Sequence, residues 1–184
     1  MKRLSISAIL ISGSLALGAS GASAQVKFVG GAPMYPAKNI VENAVNSKNH
    51  TTLVAAVKAA GLVDTLASPG PFTVFAPVNA AFNALPAGTV ETLLKPENKG
   101  QLTKILTAHV VPGKLSTGEL RSRIDANGGS YAMATASGDT LTATKAGLAV
   151  AITDENGGRA LVVNPDVNQS NGVIHVVNKV LLPN

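Results

Sequence analysis

Three histidines, His50, His109 and His175, are the residues of this chain best able to hold a metal or move a proton near neutral pH. Metal binding would need them to converge with one another or with carboxylates, and no H-x-H or H-E-x-x-H spacing brings that about locally. His109 lies in AHVV and His175 in VIHVV. In such apolar settings an imidazole is expected to be buried with its hydrogen bonds satisfied, as buried polar groups generally are. His50 stands beside a helix start and is expected to face solvent. The carboxylates Asp64, Glu91, Glu119, Asp125, Asp139, Asp154 and Asp166 are scattered and mostly flank turns, so no acid–base pair is legible among them. There is no G-x-S-x-G elbow, phosphate-binding loop with Lys, or dinucleotide fingerprint. Cysteine is absent, which excludes thiolate zinc sites, thiol catalysis and disulfides. The expectation is a protein that is not an enzyme and uses no cofactor.

Two sequence boxes must position these histidines. The first, FTVFAPVNAAFNALP, runs from Phe72 to Pro86; the second, NGVIHVVNKVLLP, runs from Asn171 to Pro183. Each opens with a β-branched or aromatic run of strand type. In the first, Pro77 has no N–H and a fixed φ, so it suits a strand exit. Asn79 then reads as the N-cap of an Ala-rich helix, its amide oxygen accepting a backbone N–H. Between the boxes, LTKILTAHVVPGKL runs from Leu102 to Leu115.

Around them the chain reads as helices first and strands later. Asn39–Ser47, Thr51–Ala60 and Leu62–Leu66 carry apolar residues on one helical face, with Gly61 at a stop position. Thr89–Leu94 and Glu97–Ala108 are further helices, and Ser116-Thr117-Gly118-Glu119 has capping-box spacing. From Tyr131 the period approaches two. Tyr131–Ala136, Thr140–Thr144, Leu148–Ile152 and Leu161–Val163 are strand candidates, separated by Gly- and Asn-containing turns. The pattern is α+β, with no internal repeat.

Residues 1–24 read as a secretory signal peptide: Lys2 and Arg3, an apolar run from Leu4 to Leu17, and Ala22-Ser23-Ala24 before Gln25. The run is too short to span a bilayer, and no later stretch is apolar enough to do so. A secreted or periplasmic location is expected, with no transmembrane anchor once the signal is removed. Residues 25–36, QVKFVGGAPMYP, read as an extended arm, and residues 37–184 as one domain. Losing Lys2 and Arg3 lowers the formal charge from +5 to +3. So small a charge, without basic clustering, argues against nucleic acid as a partner.

The two boxes and the segment between them resemble the signature motifs of the fasciclin-like domain family, in order and separation, over about Thr51–Asn184. The matching positions are Thr73, Phe75, Ala76, Pro77, Asn79 and Phe82 in the first box, His109 in the middle, and Gly172, Ile174, His175, Val177, Asn178, Leu181 and Pro183 in the second. The resemblance implies a compact wedge-shaped β-sandwich with several helices along one edge. In that fold Phe72–Ala76 lies beside Val173–Val177, and His109 and His175 are structural. The chain departs from the family at Val78, where a small hydroxylated residue is usual, and at Asn178, where Asp is common. It also has Ala108 where adhesive animal members have a Tyr associated with receptor binding. The implied function is a non-enzymatic interaction module for cell-surface or matrix adhesion, its partner a surface or matrix protein or polysaccharide. The alternative is a carrier of an apolar small molecule such as a carotenoid or lipid. It would draw on two aliphatic blocks: Val54, Val57, Leu62, Val63 and Leu66, and Val173, Ile174, Val176 and Val177.

Overall fold

The computed structural model describes residues 25–184; the expected signal peptide lies outside the described residues. Local signals set several helix ends. Helix α1 (Ile40–Ala44) opens on a capping box in which Asn39 Oδ1 accepts from Glu42 N at 2.9 Å and Glu42 Oε2 accepts from Asn39 N at 2.8 Å. Helix α2 (Thr51–Ala60) stops at Gly61, whose φ of 74° is strained for any residue with a Cβ. Short helices α3 (Val63–Ala67), α4 (Asn79–Asn83) and α5 (Thr89–Leu93) follow, then α6 (Lys99–Ala108), entered through a 3-10 turn at Pro96–Asn98. Helix α7 (Thr117–Ala126) starts at a second capping box, Ser116 with Glu119.

Strands β3 (Phe72–Pro77), β4 (Val110–Pro112), β5 (Ser130–Ala134), β6 (Thr140–Ala146), β7 (Ala149–Thr153), β8 (Arg159–Gln169) and β9 (Gly172–Val177) form one seven-stranded sheet. Its order is β4-β3-β9-β8-β7-β6-β5. The implied neighbours do pair: β3 and β9 run parallel, with Thr73 opposite Val173 and Phe75 opposite His175. All other pairings are antiparallel. The sheet curls until its ends approach, so that Ala136 N, just beyond β5, donates to Val110 O of β4 at 2.8 Å. The curl creates an inner core of Phe75, Leu120, Ile124, Leu141, Ile152 and Val177, closed by α7. A second core lies outside β3 and β9, where α1, α2, α3 and α6 cover Val74, Ala76, Ile174 and Val176.

Three expectations change. Residues 25–36 are not an extended arm: β1 (Lys27–Val29) and β2 (Ala32–Met34) form a hairpin around Gly30-Gly31, burying Val29 and Met34. Leu148 is outside any strand and 96% exposed, since the β6–β7 turn falls at Gly147-Leu148. Strand β8 is far longer than Leu161–Val163. It passes through Pro165 because register shifts between Val162 and Asn164, and again between Asn164 and Val167, leave no ladder N–H to be supplied there.

Candidate functional site

Strand β9 is buried along its whole length because both faces are covered. His175 and Val177 point to the inner core, Ile174 and Val176 to the helices. Gly172 starts the strand so close to β3 that an added Cβ would collide with the Phe72 carbonyl. Phe75 stacks on His175, ring centroids 5.7 Å apart and planes 26° from parallel. His175 Nε2 donates to Leu115 O at 2.7 Å, and Nδ1 accepts from Asp166 N at 3.2 Å. Thr73 Oγ1 donates to Gly113 O at 2.7 Å and accepts from Leu115 N at 2.9 Å, so both tie down the β4–α7 loop.

His109 ends α6. Its Nδ1 donates to Ile105 O at 2.8 Å, and Nε2 accepts from Leu181 N at 2.9 Å, pinning the C-terminal segment. Each of these two histidines therefore uses one protonated and one bare nitrogen. Burial pushes His109 down to about 4, opposed by the Ile105 carbonyl and by Asp154. Burial also lowers His175, against the Leu115 carbonyl and Asp166 and with help from Lys27. An imidazole fully engaged and held neutral this way orders backbone; it offers no nitrogen to a metal or substrate. Four further motif residues are equally interior: Ala76, Pro77, Phe82 and Leu181 are buried. Pro183 is half-buried, its carbonyl accepting from Asn156 Nδ2 at 3.2 Å. Asn178 is exposed, yet its Oδ1 accepts from Leu161 N at 2.8 Å, a bond available to the amide as to a carboxylate.

Two polar residues act differently from expectation. Asn79 does not cap its own helix, where Val78 is the cap residue. Its Oδ1 accepts from Thr52 N at 3.1 Å, while Nδ2 donates to Lys48 O and Thr51 Oγ1, each at 2.9 Å. It thus caps α2 from a distance. His50 is buried, not solvent-facing, because the β1–β2 hairpin closes over it, with Lys48 N donating to Gly30 O at 3.3 Å. Its Nδ1 bonds Ser47 Oγ at 2.8 Å, while Nε2 is buried without a hydrogen-bond partner. Burial lowers its pKa, opposed by the nearby Ala76 carbonyl.

His50 borders a cavity of about 120 Å³ between the helical layer and the outward face of β3 and β9. Val54, Val57, Leu62, Val63 and Leu66 supply one wall, and Ile174 and Val176 the other. One expected aliphatic block thus lines a hollow intact, whereas strand alternation divides the other: Val173 and Val177 do not reach it. Ala108 is buried outside the lining. No pattern in the sequence assigns a role to Asn43, Gln169 or Asn171, three buried amides that bolt α1 to the sheet. Asn171 Oδ1 accepts from Ile40 N at 3.0 Å, and Nδ2 donates to Leu66 O at 2.8 Å and Ser68 O at 2.9 Å. Asn43 bonds Gln169 and both backbone groups of Tyr35. Among the described residues no cluster of His, Asp and Glu could hold a metal, and no helix is long and apolar enough to cross a membrane.

Residues 48–183 match the profile of the fasciclin domain. The chain is similar to Protein sll1483 of Synechocystis sp., 50% identical over 147 residues that make up 80% of this chain and 74% of that protein. Immunogenic protein MPB70 of Mycobacterium bovis is 36% identical over 145 residues, 76% of this chain and 66% of that protein. Transforming growth factor-beta-induced protein ig-h3 of Sus scrofa is 33% identical over 80% of this chain, which spans only 20% of it. A solved FAS1 domain pair from the insect cell adhesion molecule fasciclin I shares the fold, with TM-score 0.70 and 20% identity. The match covers 79% of this chain and 51% of that one, so this chain spans about half of the pair.

Proposed function

This chain belongs to the fasciclin domain family, and on that basis we propose that it is an exported, non-enzymatic interaction module for cell-surface or matrix adhesion. One observation carries the reading: the motif histidines are spent on internal order, while the N-terminal hairpin turns apolar side chains outward. Phe28 is 67% exposed and stands opposite Pro33 across the hairpin. Val26 and Tyr35 extend the same face by strand alternation and are also exposed. Lys38 lies over the Tyr35 ring, its Nζ 5.3 Å from the centroid. An exposed aromatic flanked by a cation suits a surface protein or the apolar face of a sugar ring. The test is retention of the mature protein on envelope fractions and on purified matrix polysaccharide from its own cells, compared with a Phe28→Ser/Tyr35→Ser variant. Retention lost in the variant supports the proposal; equal retention of both, or none of either, defeats it.

The cavity favours a second reading, carriage of an apolar small molecule. A whole carotenoid or lipid exceeds about 120 Å³, so such cargo requires the helices to part from the sheet. Native mass spectrometry with a visible spectrum, on protein isolated from its own host, decides it. Stoichiometric cargo supports carriage, and an empty, colourless protein leaves adhesion.

A further inference from the structure

The cavity contains a chemical asymmetry that narrows what it can take. Its walls are mostly aliphatic; of the other polar residues that border it, Lys58, Thr65 and Thr107 are exposed or half-buried, and the buried Ser47 and His109 are hydrogen-bonded. Deep among the buried lining residues stands His50, 3% exposed, with Nε2 unpartnered. Asn79 and Ser47 fix the segment that carries it, through Lys48 O and through Nδ1. The Ala76 carbonyl lies close enough to favour a proton on this imidazole but is outside hydrogen-bond geometry. In the tautomer in which the Ser47 hydroxyl donates to Nδ1, Nε2 carries the proton and has no partner within hydrogen-bond geometry.

We infer that the cavity is a binding site for a compact apolar molecule bearing one carbonyl or hydroxyl oxygen, which accepts the His50 Nε2–H while its hydrocarbon body fills the space between Val57, Leu66, Ile174 and Val176. Size sets the limit: apolar cavities of about 150 Å³ admit benzene and stay dry when empty, so about 120 Å³ suits a single ring or short chain. The inference rests on the carrier reading and gives it a ligand class.

Acetophenone and isopropylbenzene are nearly the same shape and differ in the oxygen, so they separate the anchor from the hollow. Titrated into the full mature protein and followed by amide and methyl NMR shifts, both should perturb Val57 and Ile174, the ketone binding about tenfold more tightly, the equivalent of one hydrogen bond. The His50 Nε2 nitrogen shift should move with the ketone alone. In His50→Leu the preference should vanish, and Ile174→Phe should abolish binding of both probes. The nitrogen shift is read on unaltered protein, so the test survives a variant that does not fold. Equal affinities with Nε2 unmoved would overturn the anchor while leaving an apolar carrier. No binding of either probe would overturn both.

Discussion

Protonation of His109 is expected to unlatch the C-terminal segment and to cost a large part of the domain's stability. In the folded state Nε2 accepts from Leu181 N; a proton there would set two donors against each other at 2.9 Å. Burial holds the folded pKa at about 4, below the 6.5 of a free imidazole. The unfolded chain therefore takes up the proton first. The stabilisation is complete above pH 6.5, drains away as pH falls from 6.5 to about 4, and is constant below that. That span corresponds to about 3 kcal/mol, against about 5–15 kcal/mol for a typical domain. Urea unfolding at closely spaced pH values, for wild type and His109→Gln, isolates the contribution. The variant is less stable at pH 7 but loses about 3 kcal/mol less between pH 7 and pH 4, with the parallel loss from His175 and His50 common to both. Identical slopes for the two proteins would refute the reasoning. So would an NMR titration placing folded His109 near 6.5.

Three more expectations concern backbone partners. Asn171→Ala strands Ile40 N–H, Leu66 O and Ser68 O and should cost about 2–4 kcal/mol in urea unfolding; a loss under 1 kcal/mol, roughly one surface bond, would contradict that. Asn79→Ala should cost about 1 kcal/mol and speed amide exchange at Thr52, whereas Asn79→Asp keeps the acceptor and should protect Thr52. Faster exchange confined to α4 would restore the local-cap reading. Gly172→Ala sets a methyl against β3 backbone that cannot repack, so a loss of about 3 kcal/mol or more is expected. A melting temperature within a degree or two of wild type would show that β3 and β9 can separate at that end.

Where a structural decision was local, the residues announced it. Ser116 with Glu119, and Gly61, mark helix ends within a few positions of themselves, and the expected helices sit on them. The strand type of Phe72–Pro77 and Gly172–Val177 was equally legible, although their adjacency came only through resemblance and its parallel sense only from the structure. Decisions made across the chain left no local trace. Asn79 serves Thr52, 27 residues upstream, so its fit to a local cap pattern was misleading. His50 is buried by a hairpin whose strands are three residues each, too short to show a period. Pro165 reads as a breaker until the bulges that accommodate it are seen. The cavity was half legible: Val54, Val57, Leu62, Val63 and Leu66 announce an apolar wall, but a sequence lists side chains and not the gaps between them.

The parallel pairing of β3 with β9 also orders events in time. The last strand of the chain lies inside the sheet, between β3 and β8, and carries the His175 contacts on which the β4–α7 loop depends. Until β9 takes its place the sheet is two parts, β4-β3 and β8-β7-β6-β5, which meet only where Ala136 reaches Val110, and the Phe72–Pro77 edge is unpaired. Completion requires closure of a loop of about a hundred residues, a slow, non-local step. The two halves become one folded body only when that step is made.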